Sequence, residues 1–229
     1  MRRLFLPLLL VLCGFTGELF AQNTQYTSSQ DSDPEAIALV SAVRKKYDAY
    51  RTLVADFRLE IALPGQPMES QQGRITRMGD KVRFKLAGQE GIINEEAAYI
   101  IQHQNKEVMI NNLPDPEETS GVLTPQTLFN FYEGDNYVLA HQGTDTDAGR
   151  SVQIIELKPV DPDNSEFTKL RLHIDAKQKV LVSVKAFSRD ASSFTFRLDK
   201  AQGNAAVAEN TFVFRKADFP GYLVEDLRY

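Results

Sequence analysis

The feature that most constrains this chain is an alternation of apolar and polar residues that begins near residue 53 and recurs almost to the carboxyl end. In its first segment Phe57, Leu59 and Ile61 alternate with the charged residues Arg58 and Glu60. A period of two residues is typical of a β-strand with one buried face and one face in water. The chain is therefore expected to be built mainly from such strands.

The alternation predicts about eleven strands. They are expected at 53–63, 69–78, 80–87, 97–103, 106–112, 135–141, 150–158, 167–175, 179–188, 193–201 and 211–215. Many short strands at close spacing favour an antiparallel sheet curled into a barrel or half-barrel, here with two short helices, so the predicted class is mostly β (α+β). Because no linker or repeat divides the chain, 34–229 is expected to be a single domain.

Two segments have helical signals. Asp33-Pro34 supplies a cap and a first-turn proline, and apolar residues then recur at helical spacing over about 34–50. A second start, Thr124-Pro125, precedes a short aromatic segment that ends near Gly134. Each helix is expected to lie with its apolar side against the sheet.

The amino terminus resembles a secretory signal peptide. Arg2 and Arg3 precede an apolar run from Leu4 to Cys13, and Ala21 is a small residue at which cleavage is expected. A membrane anchor is disfavoured because the run is shorter than the ~20 residues that span a bilayer. A lipoprotein signal at Cys13 is disfavoured because no small residue directly precedes this cysteine. Export and cleavage after Ala21 would leave residues 22–33 as a flexible tether.

Charge and motifs exclude several functional classes. Without residues 1–21 the chain has 24 basic and 30 acidic residues, a net charge of about −6, which argues against a nucleic-acid partner. His103, His141 and His173 are far apart, and no motif for a metal, a cofactor or a catalytic nucleophile occurs. His173 lies between Leu172 and Ile174 and is expected to face solvent. We expect a protein that is not an enzyme and has no cofactor or metal.

The residues predicted to face inward are numerous enough to form a cavity. They are Phe57, Leu59, Ile61, Phe84, Tyr99, Ile101, Leu170, Leu172, Phe194, Phe196, Phe212 and Phe214. For any one of them an ordinary core position is the simpler interpretation. As a set they indicate an apolar sheet face that only two helices can cover, which favours an apolar cavity.

The order of these segments resembles the outer-membrane lipoprotein carrier family (LolA-like periplasmic lipoprotein chaperones). The matching stretches are 50–57 (Tyr-Arg-Thr-Leu-Val-Ala-Asp-Phe), 73–75 (Gly-Arg-Ile), 81–84 (Lys-Val-Arg-Phe), Thr124-Pro125 with Leu128-Phe129, 155–159 (Ile-Glu-Leu-Lys-Pro), the strand 167–175, the Phe-x-Phe strands, and 211–214 before Pro220-Gly221. The resemblance covers about 34–224.

The resemblance implies a half-open antiparallel barrel closed by helices, and a function in lipoprotein transport and outer-membrane biogenesis. Such a chaperone takes acylated lipoproteins from an ATP-driven inner-membrane lipoprotein-releasing complex, shields their acyl chains and delivers them to an outer-membrane receptor. A monomer is expected. The implied acyl-chain cavity comprises Phe57, Leu59, Ile61, Phe84, Phe194 and Phe196. The implied lid comprises Ile37, Val40, Val43 and Tyr47 on the first helix and Leu128, Phe129 and Phe131 on the second.

The sequence departs from the family pattern at one point. Many members have an Arg-Pro pair after the second strand that holds the lid, whereas this chain has Arg77-Met78-Gly79-Asp80. Arg77 or Arg83 is a possible latch in its place. Two other functions use the same half-barrel: a periplasmic lipid- or lipoprotein-sensing regulatory domain, whose relatives have an extra domain, and a carrier of free lipid or glycolipid.

Overall fold

The computed structural model describes residues 28–113, 136–147 and 149–229. The predicted signal peptide, residues 22–27 of the tether and the predicted second helix lie outside these ranges. The lid residues Leu128, Phe129 and Phe131 therefore also lie outside the described residues.

The described chain contains one α-helix, α1 (Pro34–Asp48), and twelve strands. The strands are β1 (Thr52–Ala62), β2 (Glu69–Met78), β3 (Lys81–Leu86), β4 (Gln89–Ile93), β5 (Ala98–Gln102), β6 (Glu107–Asn111), β7 (Tyr137–Asp147), β8 (Arg150–Pro159), β9 (Phe167–Asp175), β10 (Val180–Ser188), β11 (Ser193–Gly203) and β12 (Leu223–Asp226). Short 3-10 turns occupy Ser29–Asp31, Glu209–Phe212 and Lys216–Asp218.

All twelve strands form one open sheet in the order β12-β6-β5-β4-β3-β2-β1-β11-β10-β9-β8-β7. Neighbouring strands are antiparallel except β12, which lies parallel to β6. The predicted class, a mostly β, α+β fold with an open antiparallel sheet, is confirmed. Because the sheet does not close, β7 and β12 remain as its two edges.

The strand prediction was wrong at three places. The alternating segment 211–215 is not a strand, because its carbonyl oxygens accept side-chain hydrogen bonds: Arg83 donates to Thr211 O at 2.9 Å and Asn94 to Phe212 O at 3.1 Å. Strands β4 and β12 were missed. In β4 every residue from Glu90 to Ile93 is buried, so no period of two is visible there.

The main core lies between α1 and one side of the sheet, here called the α1 face. The helix contributes Ala36, Val40, Val43 and Tyr47, none more than 6% exposed. Strand register places Phe57, Leu59 and Ile61 of β1 on this face. The remaining core residues come from the middle of the sheet and include Ile75, Ile155, Leu157, Leu170, Leu172, Val184 and Phe196.

A second, smaller core lies on the opposite face of β4, β5 and β6. Ile92, Tyr99, Ile101 and Val108 are buried there under the carboxyl-terminal segment, which adds Phe214, Phe219, Tyr222 and Val224. The expectation that Tyr99, Ile101 and Phe214 share an inner face with Phe57 was therefore wrong. Alternation identifies which residues share a side of one strand, but both sides of this part of the sheet are covered.

The amino-terminal segment covers the β7 edge of the sheet. Ser32 Oγ accepts a hydrogen bond from Leu139 N at 3.0 Å, and Asp33 N donates to Leu139 O at 2.8 Å. The Asp33 carboxylate accepts from His141 N at 2.7 Å. The predicted cap residue Asp33 thus uses its side chain to bind the edge strand, and this contact fixes the start of α1. Among the described residues, no helix has the length and apolar character needed to cross a bilayer.

Candidate apolar binding site

An apolar pocket opens on the α1 face at one end of β1, β9 and β11. Its described lining comprises Leu59, Glu166, Phe167, Phe194 and Phe196, and its volume is about 140 Å³. Three of the six predicted cavity residues, Leu59, Phe194 and Phe196, lie together here. None of the described lining residues comes from α1, so the helix covers the neighbouring part of the face.

The other predicted cavity residues lie beside this pocket. The Phe57 ring contacts that of Phe196, with centroids 5.7 Å apart, and is 1% exposed. Ile61 is half-buried and pairs with Phe194 across β1 and β11. Phe84 is half-buried at the edge of the main core, two strands away on β3.

Two glycines make room for the rings on this face. A methyl group on Gly73 would lie 2.3 Å from Phe57 Cζ, and one on Gly91 would lie 2.1 Å from Phe84 Cε1. Each ring therefore lies directly over the backbone of a neighbouring strand. The glycines allow this close approach because they have no side chain.

Sequence reasoning missed Glu166 and Phe167 at the pocket. Phe167 is the first residue of β9, and a register shift between Phe187 and Ser188 turns it to the α1 face. Glu166 is exposed at the rim. Burial, and then the charge of Glu166, raises the pKa of Tyr137. The rim therefore has one carboxylate beside an otherwise apolar opening.

The predicted lid residues on α1 divide into two groups. Val40, Val43 and Tyr47 are buried in the main core, whereas Ile37 is 45% exposed and points away from it. Ala36 occupies the buried position instead, because the buried side follows a 36, 40, 43, 47 spacing. Burial raises the pKa of the Tyr47 hydroxyl to about 12, as expected for a phenol held in an apolar core.

The two predicted latch arginines point to opposite sides of the sheet. The Arg77 guanidinium donates from Nη2 to the carbonyl oxygen of Tyr47 at 2.7 Å, in the last turn of α1. A cation is favourable at this end of a helix dipole. Arg83 instead binds Glu90 and Thr211 O on the opposite face. Of the two, only Arg77 is placed to hold the helix.

The histidines have structural partners. His103 Nδ1 lies 2.9 Å from the Tyr222 hydroxyl, and His141 Nε2 lies 2.7 Å from Gln153 Oε1. His173 was expected to face solvent, but it is partly covered because Asp147 reaches across from the β7–β8 hairpin to within 2.6 Å of its Nδ1. Among the described residues, no cluster of His, Cys, Asp or Glu could hold a metal ion.

Asp147 also binds Ser183, at 3.1 Å, and Arg197. Ser183 and His173 share one carboxylate oxygen, so the hydroxyl donates to the aspartate rather than to the imidazole. A nucleophilic serine requires a hydrogen bond to its base. The cluster is therefore a clasp between the hairpin and strands β9, β10 and β11.

A larger, shallow depression of about 320 Å³ lies at the turn between β3 and β4. Its charged lining is already paired: Arg74 with Asp56 at 3.0 Å, Lys85 with Glu90 at 3.3 Å, and His103 with Tyr222. Its described lining contains no phenylalanine, whereas three phenylalanine rings and Leu59 line the pocket at Phe194, so that pocket is the better candidate site for an apolar ligand.

No protein-family model and no curated protein sequence matches the chain. Solved structures with a similar fold are nevertheless found. An uncharacterized conserved protein from Thermus thermophilus is 9% identical, with a TM-score of 0.55 over 84% of this chain and 99% of that chain. The likeness is one of fold.

Two further structures are similar at lower scores. An outer membrane lipoprotein-sorting protein domain from Vibrio parahaemolyticus is 12% identical, with a TM-score of 0.43 over 78% of this chain and 96% of that one. A LolA superfamily protein from Nitrosomonas europaea is 8% identical, with a TM-score of 0.42 over 78% of this chain and 97% of that one. One of these structures belongs to the LolA superfamily, the family that the sequence resembles, and both are similar to this chain in fold alone.

Proposed function

We propose that the protein is an exported carrier that acts by binding and not by catalysis. It shields the acyl chains of lipoproteins on the α1 face of its sheet while they cross the periplasm from the inner to the outer membrane. Its partners are then the inner-membrane releasing complex and an outer-membrane receptor. The observation that carries the proposal is the aromatic pocket at Leu59, Phe194 and Phe196, which opens beside α1 on an apolar sheet face.

The energetics of acyl chains fit this site. Each methylene removed from water contributes about 0.8 kcal/mol, so a multiply acylated protein needs a cover before it can cross an aqueous space. Phenylalanine rings and a leucine give apolar contact without a polar group that fixes one ligand shape. Such a lining retains acyl chains of different lengths, as a carrier of many lipoproteins requires.

Native mass spectrometry of the protein recovered from the exported fraction of expressing cells tests the proposal. Bound lipoprotein or triacylated peptide is the expected result. Bound free lipid or glycolipid would instead indicate a lipid carrier. A protein that stays empty and does not take up triacylated peptide when it is added would refute the carrier function, and the lipid-sensing alternative with it.

A matched pair of variants separates the pocket from the general core. Phe194→Ala removes a half-buried ring at the pocket, and Phe219→Ala removes a half-buried ring from the second core on the opposite face. We expect Phe194→Ala alone to lose retained cargo, with the far-UV circular dichroism of both variants unchanged. Equal retention by the two variants would show that cargo is not held at this pocket.

A further inference from the structure

The opposite face of the sheet carries a cluster of cations around one aromatic ring. Lys169 Nζ and Lys185 Nζ each lie 5.0 Å from the centroid of the Phe187 ring, and the Arg171 guanidinium carbon lies 5.6 Å from it. Cross-strand pairing places Lys169 beside Phe187 and Arg171 beside Lys185. We call these four residues the Phe187 cluster.

One buried carboxylate offsets part of this charge. Glu156, on β8, accepts hydrogen bonds from Lys169 at 3.0 Å and from Arg171 Nε at 3.1 Å. Burial opposes ionisation of Glu156, but these two cations outweigh it and hold its pKa below the usual range. Glu156 is thereby kept as a fixed negative charge beneath the cluster.

The cluster therefore has an excess of positive charge on a protein that is acidic overall. In the described part of the chain no carboxylate lies within ion-pair distance of Lys185, whose ammonium group lies over the Phe187 ring. Lys169 and Arg171 keep about a third of their side-chain surface exposed, at 32% and 36%. The three cations of the cluster against one carboxylate leave a local excess of about two charges.

The shape of this surface decides which kind of anionic partner it fits. Extended peptides bind along an exposed sheet edge or in a groove. The Phe187 cluster lies on the face of interior strands, where parallel side chains present their cations side by side. The loops at the adjoining strand ends expose acidic side chains, namely Asp161, Asp163 and Asp190. Because these carboxylates repel anions, an anionic partner is favoured at the face of the sheet and not at the loops.

We propose that the Phe187 cluster is a docking surface for the anionic phospholipid headgroups of a membrane. Lysine and arginine side chains near an anionic lipid surface each strengthen binding about fivefold. A half-buried aromatic ring such as Phe187 is suited to the interface between membrane and water. The surface lies across the sheet from the pocket at Phe194. Membrane docking and cargo binding can therefore occur together, and each can be measured without the other.

Vesicle co-sedimentation tests the proposal with the protein recovered from the exported fraction. Binding is compared on phosphatidylglycerol–phosphatidylcholine vesicles and on pure phosphatidylcholine vesicles, at low and high NaCl. The matched pair is the double variant Lys169→Gln/Lys185→Gln and the control Lys177→Gln/Lys200→Gln, which removes two exposed lysines near the other ends of β9 and β11.

We expect binding only to the anionic vesicles, weaker at high salt because exposed charges are screened. The Phe187-cluster variant should bind about 25-fold less tightly, while the control keeps the affinity of the unaltered protein. Equal affinities of the two variants would overturn the proposal. So would wild-type binding to a polyglutamate peptide but not to anionic vesicles, which would identify an acidic protein as the partner. Cargo retention in the mass spectrometry above is expected to be unaffected in either variant.

Discussion

At the scale of single residues, two glycines allow aromatic rings to lie against the sheet. We expect Gly73→Ala to lower the free energy of unfolding by about 1–3 kcal/mol, because the buried Phe57 ring beside it has no room to move. Gly91→Ala should cost less, because the half-buried Phe84 ring can swing outward. Urea unfolding of both variants measures the difference. Equal losses would show that the Phe57 side of the face is as loosely packed as the Phe84 side.

The Asp147 clasp predicts how stability changes with pH. Burial opposes ionisation of Asp147, but His173, Arg197 and Ser183 outweigh it and hold its pKa below the usual range. A lowered folded-state pKa gives stability that is full above the unfolded value of ~3.9 and is lost as the pH falls through the folded pKa. Asp147→Asn should therefore cost about 1–3 kcal/mol at neutral pH, and its difference from wild type should shrink below about pH 4.

The control for this prediction is Asp199→Asn. Asp199 pairs with Arg58, and both side chains are 39% exposed, so its loss should cost about 0–1 kcal/mol. Urea unfolding across the acid range gives both values. A cost for Asp147→Asn that stays constant down to strongly acid pH would contradict the clasp.

At the scale of elements, the sequence predicts strands well where one face is buried and the other is exposed to solvent. Strands β1 and β9 to β11 lie where expected, because apolar and polar residues alternate over 57–61, 170–174 and 194–198. Strand β4 does not alternate because both of its faces are covered, and β12 pairs in parallel with β6 through a contact distant in sequence. Of the pocket residues, Leu59, Phe194 and Phe196 follow from alternation. Phe167 does not, since its orientation depends on a register shift that only the folded sheet shows.

The helix α1 is fixed at both ends, and this makes Arg77 a test of its mobility. Removing the hydrogen bond from Arg77 to Tyr47 O should free the last turn of α1, because the helix start remains held by Asp33. We expect Arg77→Met to speed amide exchange in peptides covering 43–50, with little change at 34–38. Arg74→Met, which removes an exposed pair with Asp56, is the control and should leave exchange in α1 unchanged. If amide exchange over 43–50 is unchanged in Arg77→Met, Arg77 does not act as a latch on α1.

At the scale of the whole molecule, the open sheet keeps three regions apart. The α1 face holds the main core and the apolar pocket, the opposite face near β5 is sealed by the carboxyl-terminal segment, and the opposite face near β10 presents the Phe187 cluster. A closed barrel would have a single interior and no such division. The amino-terminal segment covers the β7 edge, which limits edge-to-edge association of an open sheet and fits the expected monomer.

The size of the pocket sets the kinetics expected for cargo uptake. About 140 Å³ holds roughly five groups the size of a water molecule, whereas ligand pockets commonly measure ~300–1,000 Å³. A fatty acyl chain therefore requires the pocket to enlarge, and this opening must precede full burial of the chain. The observed uptake rate should then level off as cargo concentration rises, because the opening step becomes limiting. Stopped-flow fluorescence with a labelled triacylated peptide measures this plateau. A rate that rises linearly with concentration would show that the site accepts acyl chains without opening.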